Sequence, residues 1–196
     1  IILQVDNFLN GGLENVVIEQ ACFFREQGKK VSILVLQQAG NSVLLAEGKH
    51  IHVICRRYTE DAYADLMRRL APSAVFAHCS YNGAAICASL SIPFIQVVHN
   101  TYIWTRTYPN DRQPILDAMP YTTKIVCVSE LVRYFFNKEY QADNRKLVVI
   151  PNGIDLQRFR FSQRARVDIR NRYGIAPGTV LFLSVGSISE QKNYPL

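Results

Sequence analysis

The chain has little charge and no long apolar run. Charged residues make up 19% of its 196 residues and apolar residues 48%, a balance typical of folded domains and unlike that of disordered chains. No apolar segment approaches the length that a membrane span needs, and the opening segment lacks the basic lead of a signal peptide. We therefore expect a globular protein that works in the cytoplasm.

Cysteine and histidine do not occur in the spacings that bind metal. The cysteines form no Cys-x-x-Cys pair, so we expect buried free thiols in a reducing compartment; they stand at positions 22, 55, 79, 87 and 127. His50 and His52 would share one face of a strand, but no third ligand lies near them in sequence. The face of an edge strand explains this pair better than a metal site does.

Nucleic acid and dinucleotides are poor candidates as ligands. The net charge of +6 favours anionic partners, yet Arg56-Arg57 and Arg68-Arg69 are isolated pairs and no basic block is interleaved with aromatic residues. The Gly-x-Gly-x-x-Gly fingerprint of dinucleotide dehydrogenases is also absent. Phosphorylated ligands and an anionic membrane surface stay open as partners.

Apolar, β-branched segments alternate with helical ones along the chain. The pattern predicts strands at 1–6, 31–36, 51–54, 74–78, 93–98, 124–128 and 147–150. It predicts helices at 13–27, 60–70, 82–90, 113–118 and 129–138. This alternation is typical of an α/β fold with a Rossmann-like parallel sheet and helices on both faces, in which ligands bind beyond the carboxyl ends of the strands.

A glycine pair links the first predicted strand to the first predicted helix. Gly11 and Gly12 precede that helix, where bare backbone N–H groups at its positive end favour an anion such as phosphate. A purely conformational need for glycine in a tight turn explains the pair equally well. Glu14 also has two interpretations, as a charge that favours the helix terminus or as a residue near a bound acceptor.

Polar residues follow three further predicted strands. We interpret His99 as functional and His78 as structural, although both follow a strand directly. Ser129 begins a predicted helix, so we interpret it first as the N-cap of that helix and only second as a residue that lines a cleft. The full set at these strand ends is His78, Ser80, His99, Asn100, Ser129 and Glu130.

A turn at Pro151-Asn152-Gly153 ends the predicted sheet. After a polar and basic segment that is compatible with a helix, residues 179–186 have the composition of a new buried strand. We therefore expect a first domain at 1–150, a hinge at 151–178 and the start of a truncated second domain at 179–196. The absence of methionine at position 1 fits a chain that has been trimmed.

Five short motifs follow one another along the chain. They are Gly-Gly-x-Glu at 11–14, Val-His-Asn at 98–100, Val-Ser-Glu at 128–130, Ile-Pro-Asn-Gly-Ile-Asp at 150–155 and Val-Gly-Ser-Ile-Ser-Glu-Gln-Lys-Asn at 185–193. Together, and in this order, they resemble glycosyltransferase family 4. The resemblance implies a GT-B architecture, in which two Rossmann-like domains face each other across a cleft. It also implies that this chain is the N-terminal, acceptor-side half of such a protein.

The resemblance implies roles for individual residues. The backbone of Gly11 and Gly12 would lie beside the donor diphosphate, and His99 near the reacting sugar. Lys192 would neutralise the leaving diphosphate, which stabilises the transition state more than the ground state. Ser187 stands where the family commonly has an arginine, so it offers the diphosphate a hydrogen bond without a charge. Family members mostly work without a metal or cofactor, and this chain lacks Asp-x-Asp.

An aromatic and basic segment follows His99 directly, at residues 101–112. We expect it to bind the acceptor or to face a membrane, and a buried plug is the alternative. The acceptor implied by the resemblance is a saccharide or a lipid-linked group. The residues expected to lie at the acceptor or to line the cleft are Glu14, Asn100, Trp104, Arg106, Ser129 and Glu130.

Three functions fit these features. The first is a retaining glycosyltransferase that moves a sugar from a nucleotide-sugar donor to an envelope or polysaccharide acceptor. The second is a UDP-sugar 2-epimerase of the same architecture, which needs no acceptor. The third is a non-catalytic sugar-binding relative, for which Ser187 is mild support. In family 4 the paired glutamates that hold the donor lie in the second domain, so we expect the chain by itself to be inactive.

Overall fold

The computed structural model describes residues 1–101 and 112–186. The chain divides into two compact units, Ile1–Gly153 and Ile154–Leu196, and each is described by itself. Within the first unit the strands, in chain order, are β1 (Ile2–Phe8), β2 (Ser32–Ala39), β3 (His52–Cys55), β4 (Val75–His78), β5 (Phe94–Val98), β6 (Lys124–Cys127) and β7 (Leu147–Val149). All seven strands predicted for residues 1–150 are therefore confirmed.

These strands form one seven-stranded parallel sheet in the order β3-β2-β1-β4-β5-β6-β7. The helices between them are α1 (Gly12–Glu26), α2 (Ser42–Gly48), α3 (Glu60–Leu70), α4 (Ala84–Ser89), α5 (Arg112–Ala118) and α6 (Glu130–Tyr140). A 3₁₀ turn at Met119–Tyr121 follows α5. Among these helices the sequence prediction missed only α2, which has 7 residues.

Helices cover both faces of the sheet, as predicted. Successive residues of β1 point to opposite faces: Leu3 joins an apolar cluster with Val17 of α1 and Ala46 of α2. Ile2 joins a second cluster with Met67 of α3, to which α4 and α5 also contribute. A third cluster packs α5 and α6 against β5 and β6. The Rossmann-like α/β class is therefore confirmed.

Helix α1 turns one apolar face to the sheet. It buries Val17 and Ala21, while Leu13 and Phe24 pack half-buried against the same cluster. Gly28 follows the C-terminal cap with φ +71°, a left-handed conformation that glycine adopts without a Cβ penalty. A glycine directly after the C-terminal cap thus sets the end of α1.

Gly83 is the glycine that the packing needs most clearly. It precedes α4 with φ +84°, and a Cβ at this position would overlap the ring of Tyr63. The Tyr63 hydroxyl donates a hydrogen bond of 2.6 Å to Gln4 Oε1 in β1. Gly83 therefore allows a tyrosine from α3 to pack against the start of α4 and to reach the sheet.

Two expectations about burial are wrong. Cys55 is exposed and Cys79 is half-buried, because the first ends the edge strand β3 and the second lies in the turn after β4. In the second unit, whose polar helix α7 spans Gln163–Arg172, residues 179–185 form no strand and Phe182 is 92% exposed. A strand needs a neighbour for its backbone hydrogen bonds, and the described residues of this unit supply none.

We expect Gly83→Ala to destabilise the first unit by roughly 2–5 kcal/mol, because it combines left-handed strain with overlap against Tyr63. The matched control is Gly28→Ala, where φ is also positive but a Cβ meets nothing within 4 Å. That variant should lose only about 1 kcal/mol. Urea unfolding of the full chain measures both, and equal losses would contradict the packing role of Gly83.

Candidate functional site

The strand order reverses between β1 and β4, where neighbouring connections run in opposite directions. In sheets of this type, ligands bind in the crevice outside the carboxyl ends of the strands at such a point. β1 leads there into the glycine pair, and β4 leads into the turn that contains Ser80 and Asn82. β5 ends beside them and is followed by His99. The candidate site is therefore this edge of the sheet.

The glycine pair leaves the start of α1 open. Gly11 is the N-cap with φ −171° and ψ −173°, and no side chain caps the helix there. Neither Gly11 nor Gly12 adopts a left-handed backbone, so the conformational explanation for this pair is not supported. Gly12 is exposed, and a Cβ on it would meet nothing within 4 Å. Residues 1–101 and 112–186 therefore leave this space empty.

Glu14 folds back over the glycine loop. Its Oε1 accepts a hydrogen bond of 3.1 Å from the Leu9 N–H, and a Cβ on Gly11 would lie 2.8 Å from its Oε2. The carboxylate therefore covers the Gly11 side of the loop and leaves the Gly12 side open. This arrangement agrees with a role for Glu14 at the helix terminus.

A buried polar network braces the crevice, and sequence reasoning found only Ser80 of its members. Gln4 Nε2 donates to Ser80 Oγ at 2.8 Å and to the Asn82 carbonyl at 2.9 Å. Ser80 Oγ donates in turn to Asp6 Oδ1 at 2.6 Å. The available signal was the pair of polar residues at positions 4 and 6 of an apolar strand, which share one face because the side chains of a strand alternate.

His78 and His99 form a pair at the ends of β4 and β5. His78 pairs with Val97 in the sheet, and His99 lies two residues further on, so both side chains point to the same face. His78 Nδ1 lies 2.8 Å from His99 Nε2, and the planes of the rings differ by 25°. The structure therefore joins the residue interpreted as structural to the residue interpreted as functional.

Both rings are neutral at physiological pH. Burial, with the neighbouring His99 as a smaller cause, lowers the pKa of His78 to about 3. Burial also lowers the pKa of His99 to about 4. A neutral imidazole donates one hydrogen bond and accepts another, so this pair acts through hydrogen bonds and not through positive charge.

The sixth strand end has a simpler explanation. Ser129 Oγ accepts a hydrogen bond of 3.2 Å from the Val132 N–H and so caps α6, as the sequence indicated. Glu130 accepts from Arg133 Nε at 2.8 Å in an exposed ion pair. Asn100 is half-buried directly after His99. His99 and Asn100 follow β5, which neighbours β4 in the sheet, whereas Ser129 and Glu130 follow β6, one strand further from the crevice.

Four predicted site residues lie outside the described part of the chain: Trp104, Arg106, Ser187 and Lys192. Among residues 1–101 and 112–186, no group of three or more His, Cys, Asp or Glu side chains is arranged to hold a metal ion. His52 lies on the edge strand β3, and its Nδ1 is 3.2 Å from Ser32 Oγ on the neighbouring strand β2. This hydrogen bond accounts for the position of the His52 ring. None of the described helices has the length and apolarity needed to cross a membrane.

The architecture defines a Rossmann-like α/β domain with its candidate site at the switch point of the sheet. Residues 10–158 match the sequence profile described as Glycosyltransferase Family 4. The chain belongs to this family. No curated protein sequence matches the chain.

Solved structures of low sequence identity share the fold. A glycosyltransferase from Rickettsia africae superposes with a TM-score of 0.73 at 19% identity, covering 90% of this chain and 50% of the other. The Anabaena HepE protein in complex with UDP gives 0.70 at 18% identity, covering 88% and 50%. A UDP-GlcNAc 2-epimerase from Neisseria meningitidis gives 0.56 at 9% identity, covering 89% and 53%. The chain thus spans about half the length of these proteins.

The histidine pair should make the stability of the chain depend on pH. Unfolded histidines take up protons near pH 6.5, whereas His78 and His99 in the folded chain do so only near pH 3 and 4. The free energy of unfolding should therefore fall as pH falls from about 6.5 to about 4. Urea unfolding across this range measures the slope. His99→Asn should make the slope smaller, and an unchanged slope would contradict the burial of neutral rings.

Proposed function

We propose that this chain is the acceptor-side half of a retaining glycosyltransferase, which moves a sugar from a nucleotide-sugar donor to an envelope or polysaccharide acceptor. Membership of Glycosyltransferase Family 4 supports the reaction class. The HepE structures with UDP and with UDP-glucose support a uridine nucleotide sugar as the class of donor. In this proposal the segment 151–178 is a hinge, and 179–196 begins the donor-binding domain.

The observation that carries the proposal is the open start of α1. The N–H groups of the first helical turn carry the positive end of the helix dipole, and they lie at the switch point of the sheet. Gly12 leaves room beside them without any conformational need for glycine. A diphosphate of the donor fits this place, because its charge and its close approach to backbone are both accommodated.

The other assignments follow from the family motifs. His99 lies near the reacting sugar, and Lys192 neutralises the leaving diphosphate, with Ser187 as a weaker partner. The segment with Trp104 and Arg106 contacts the acceptor or an anionic membrane surface from the cytoplasmic side. The reaction uses neither a metal nor a cofactor, since the cationic and backbone groups stabilise the leaving group.

A UDP-sugar 2-epimerase is the second candidate, favoured by the likeness to the Neisseria epimerase. The transferase is preferred because the family profile covers residues 10–158 of this chain, whereas the epimerase shares only 9% identity. A non-catalytic relative that binds sugars is the third candidate. Product analysis separates the three, since a transferase needs an acceptor and releases a nucleoside diphosphate, while an epimerase returns an altered nucleotide sugar.

Gly12→Val in the whole two-domain enzyme should reduce sugar transfer on the order of a hundredfold, because branched methyl groups would displace the diphosphate from the helix terminus. The measurement is nucleoside diphosphate release from UDP- and GDP-sugars in the presence of acceptor.

The matched control for this variant is Gly48→Val at the end of α2, where a Cβ also meets nothing within 4 Å. Both variants should unfold at the urea concentration of the wild type within a small margin, since a Cβ at either position meets no described atom within 4 Å. Wild-type turnover in Gly12→Val would place the diphosphate elsewhere.

The 196-residue chain by itself should fold but should not transfer sugar, because the proposal assigns most donor contacts to the second domain. Mixed with UDP- and GDP-sugars and acceptor, it should release no nucleotide above the enzyme-free background. Circular dichroism confirms in the same sample that the chain is folded. Turnover by this chain would overturn its assignment as half of a two-domain enzyme.

A further inference from the structure

The contact between His78 and His99 has two proton arrangements with different consequences. Lone pairs and N–H bonds of imidazole lie in the ring plane, so two rings only 25° apart, with nitrogens 2.8 Å apart, are suited to one direct hydrogen bond. Either His78 Nδ1–H donates to His99 Nε2, or His99 Nε2–H donates to His78 Nδ1. Since each neutral ring carries one proton, the choice fixes both tautomers.

Burial of His78 decides between the two arrangements. His78 is 2% exposed, and among the residues that the structure describes its Nε2 has no hydrogen-bond partner. If His99 were the donor, His78 would carry its proton on Nε2 and would bury an N–H without an acceptor. If His78 is the donor, only a lone pair is left unpaired, and orphaned acceptors are the less rare case in folded proteins.

We propose that His78 is a positioning residue, which donates its Nδ1–H to His99 Nε2 and so holds His99 as a hydrogen-bond donor through Nδ1. His99 is half-buried at the carboxyl edge of the sheet, and none of the hydrogen bonds between described residues uses its Nδ1, which is therefore the ring nitrogen left for a ligand. This inference rests on the proposed function in one respect, that the ligand is the nucleotide-sugar donor. The group that Nδ1–H addresses is then a neutral oxygen acceptor of that donor, such as a hydroxyl.

The low pKa values of both rings agree with this assignment. Because neither ring is charged at neutral pH, His99 does not act as a cation for the leaving diphosphate, and a group with a pKa of about 4 is a weak base. A fixed neutral donor is the remaining useful role. This role of His99 does not involve a change of its charge with pH.

The backbone holds His78 in place. Sheet pairing sets it opposite Val97, and Cys79 directly after it has φ +46°, a left-handed conformation that is strained for a residue with a Cβ. This sharp turn sends the next residue, Ser80, to Gln4 and Asp6, while His78 points to His99. A ring fixed by sheet and turn is well suited to orient a second ring.

The test is the proton position on each ring, read from long-range ¹H–¹⁵N correlations of the uniformly labelled 196-residue chain at neutral pH. The chain has four histidines, and His52, whose Nδ1 lies near Ser32 Oγ, serves as the internal reference. The expected result is a proton on Nδ1 and none on Nε2 in both His78 and His99. A proton on Nε2 of His99 overturns the proposal. The measurement needs no substrate, so it stands apart from the transferase assignment.

Two variants separate positioning from simple packing. His78→Asn keeps an N–H donor near the position of Nδ1 and should keep the His99 proton on Nδ1, whereas His78→Leu removes the donor and should return the His99 proton mainly to Nε2. In the whole enzyme, His78→Leu should lower kcat on the order of a hundredfold with a smaller change in KM, and His78→Asn should restore most of the loss.

The outcomes for this proposal are distinct. If the leucine variant does not fold, the wild-type tautomers and the asparagine variant still decide the assignment. Equal kcat in the wild type and both folded variants overturns the positioning role. If the whole protein transfers no sugar at all, the proposed function fails, while the tautomers of the pair are still measured.

Discussion

The parallel pairing of β1 with β4 and of β4 with β5 is the constraint on which the site depends. It brings the ends of three strands that are far apart in sequence to one edge. The glycine loop, the Ser80 turn and the histidine pair meet there because parallel strands all point their carboxyl ends the same way. The crossover helices that permit this pairing also supply the apolar cover that makes the sheet stable.

The buried side chain of Gln4 also stabilises this edge of the sheet. A buried amide without partners is costly, but here Tyr63, Ser80 and the Asn82 carbonyl satisfy it. The same bonds tie α3 and the turn after β4 to β1. The crevice is therefore held by hydrogen bonds as well as by packing. Gly83 contributes by leaving space for the Tyr63 ring.

The start of α1 and the histidine pair offer a ligand two different kinds of interaction at this edge of the sheet. The start of α1 offers backbone N–H groups and a positive dipole end, which suit an anion. His78 and His99 are neutral and offer directed hydrogen bonds, which suit an uncharged oxygen. The donor that we propose is made of a diphosphate and a sugar, and it has both kinds of group.

Period and glycine placement were enough to determine the strands of the first unit, five of its six described helices, the end of α1 at Gly28 and the cap at Ser129. These features depend on neighbours within a few residues, so the amino-acid sequence by itself determined them. The contact of His78 with His99, the network from Gln4 to Asp6 and the exposure of Cys55 were decided only by the tertiary structure. Each depends on strand order and register, which bring together residues that local pattern cannot relate.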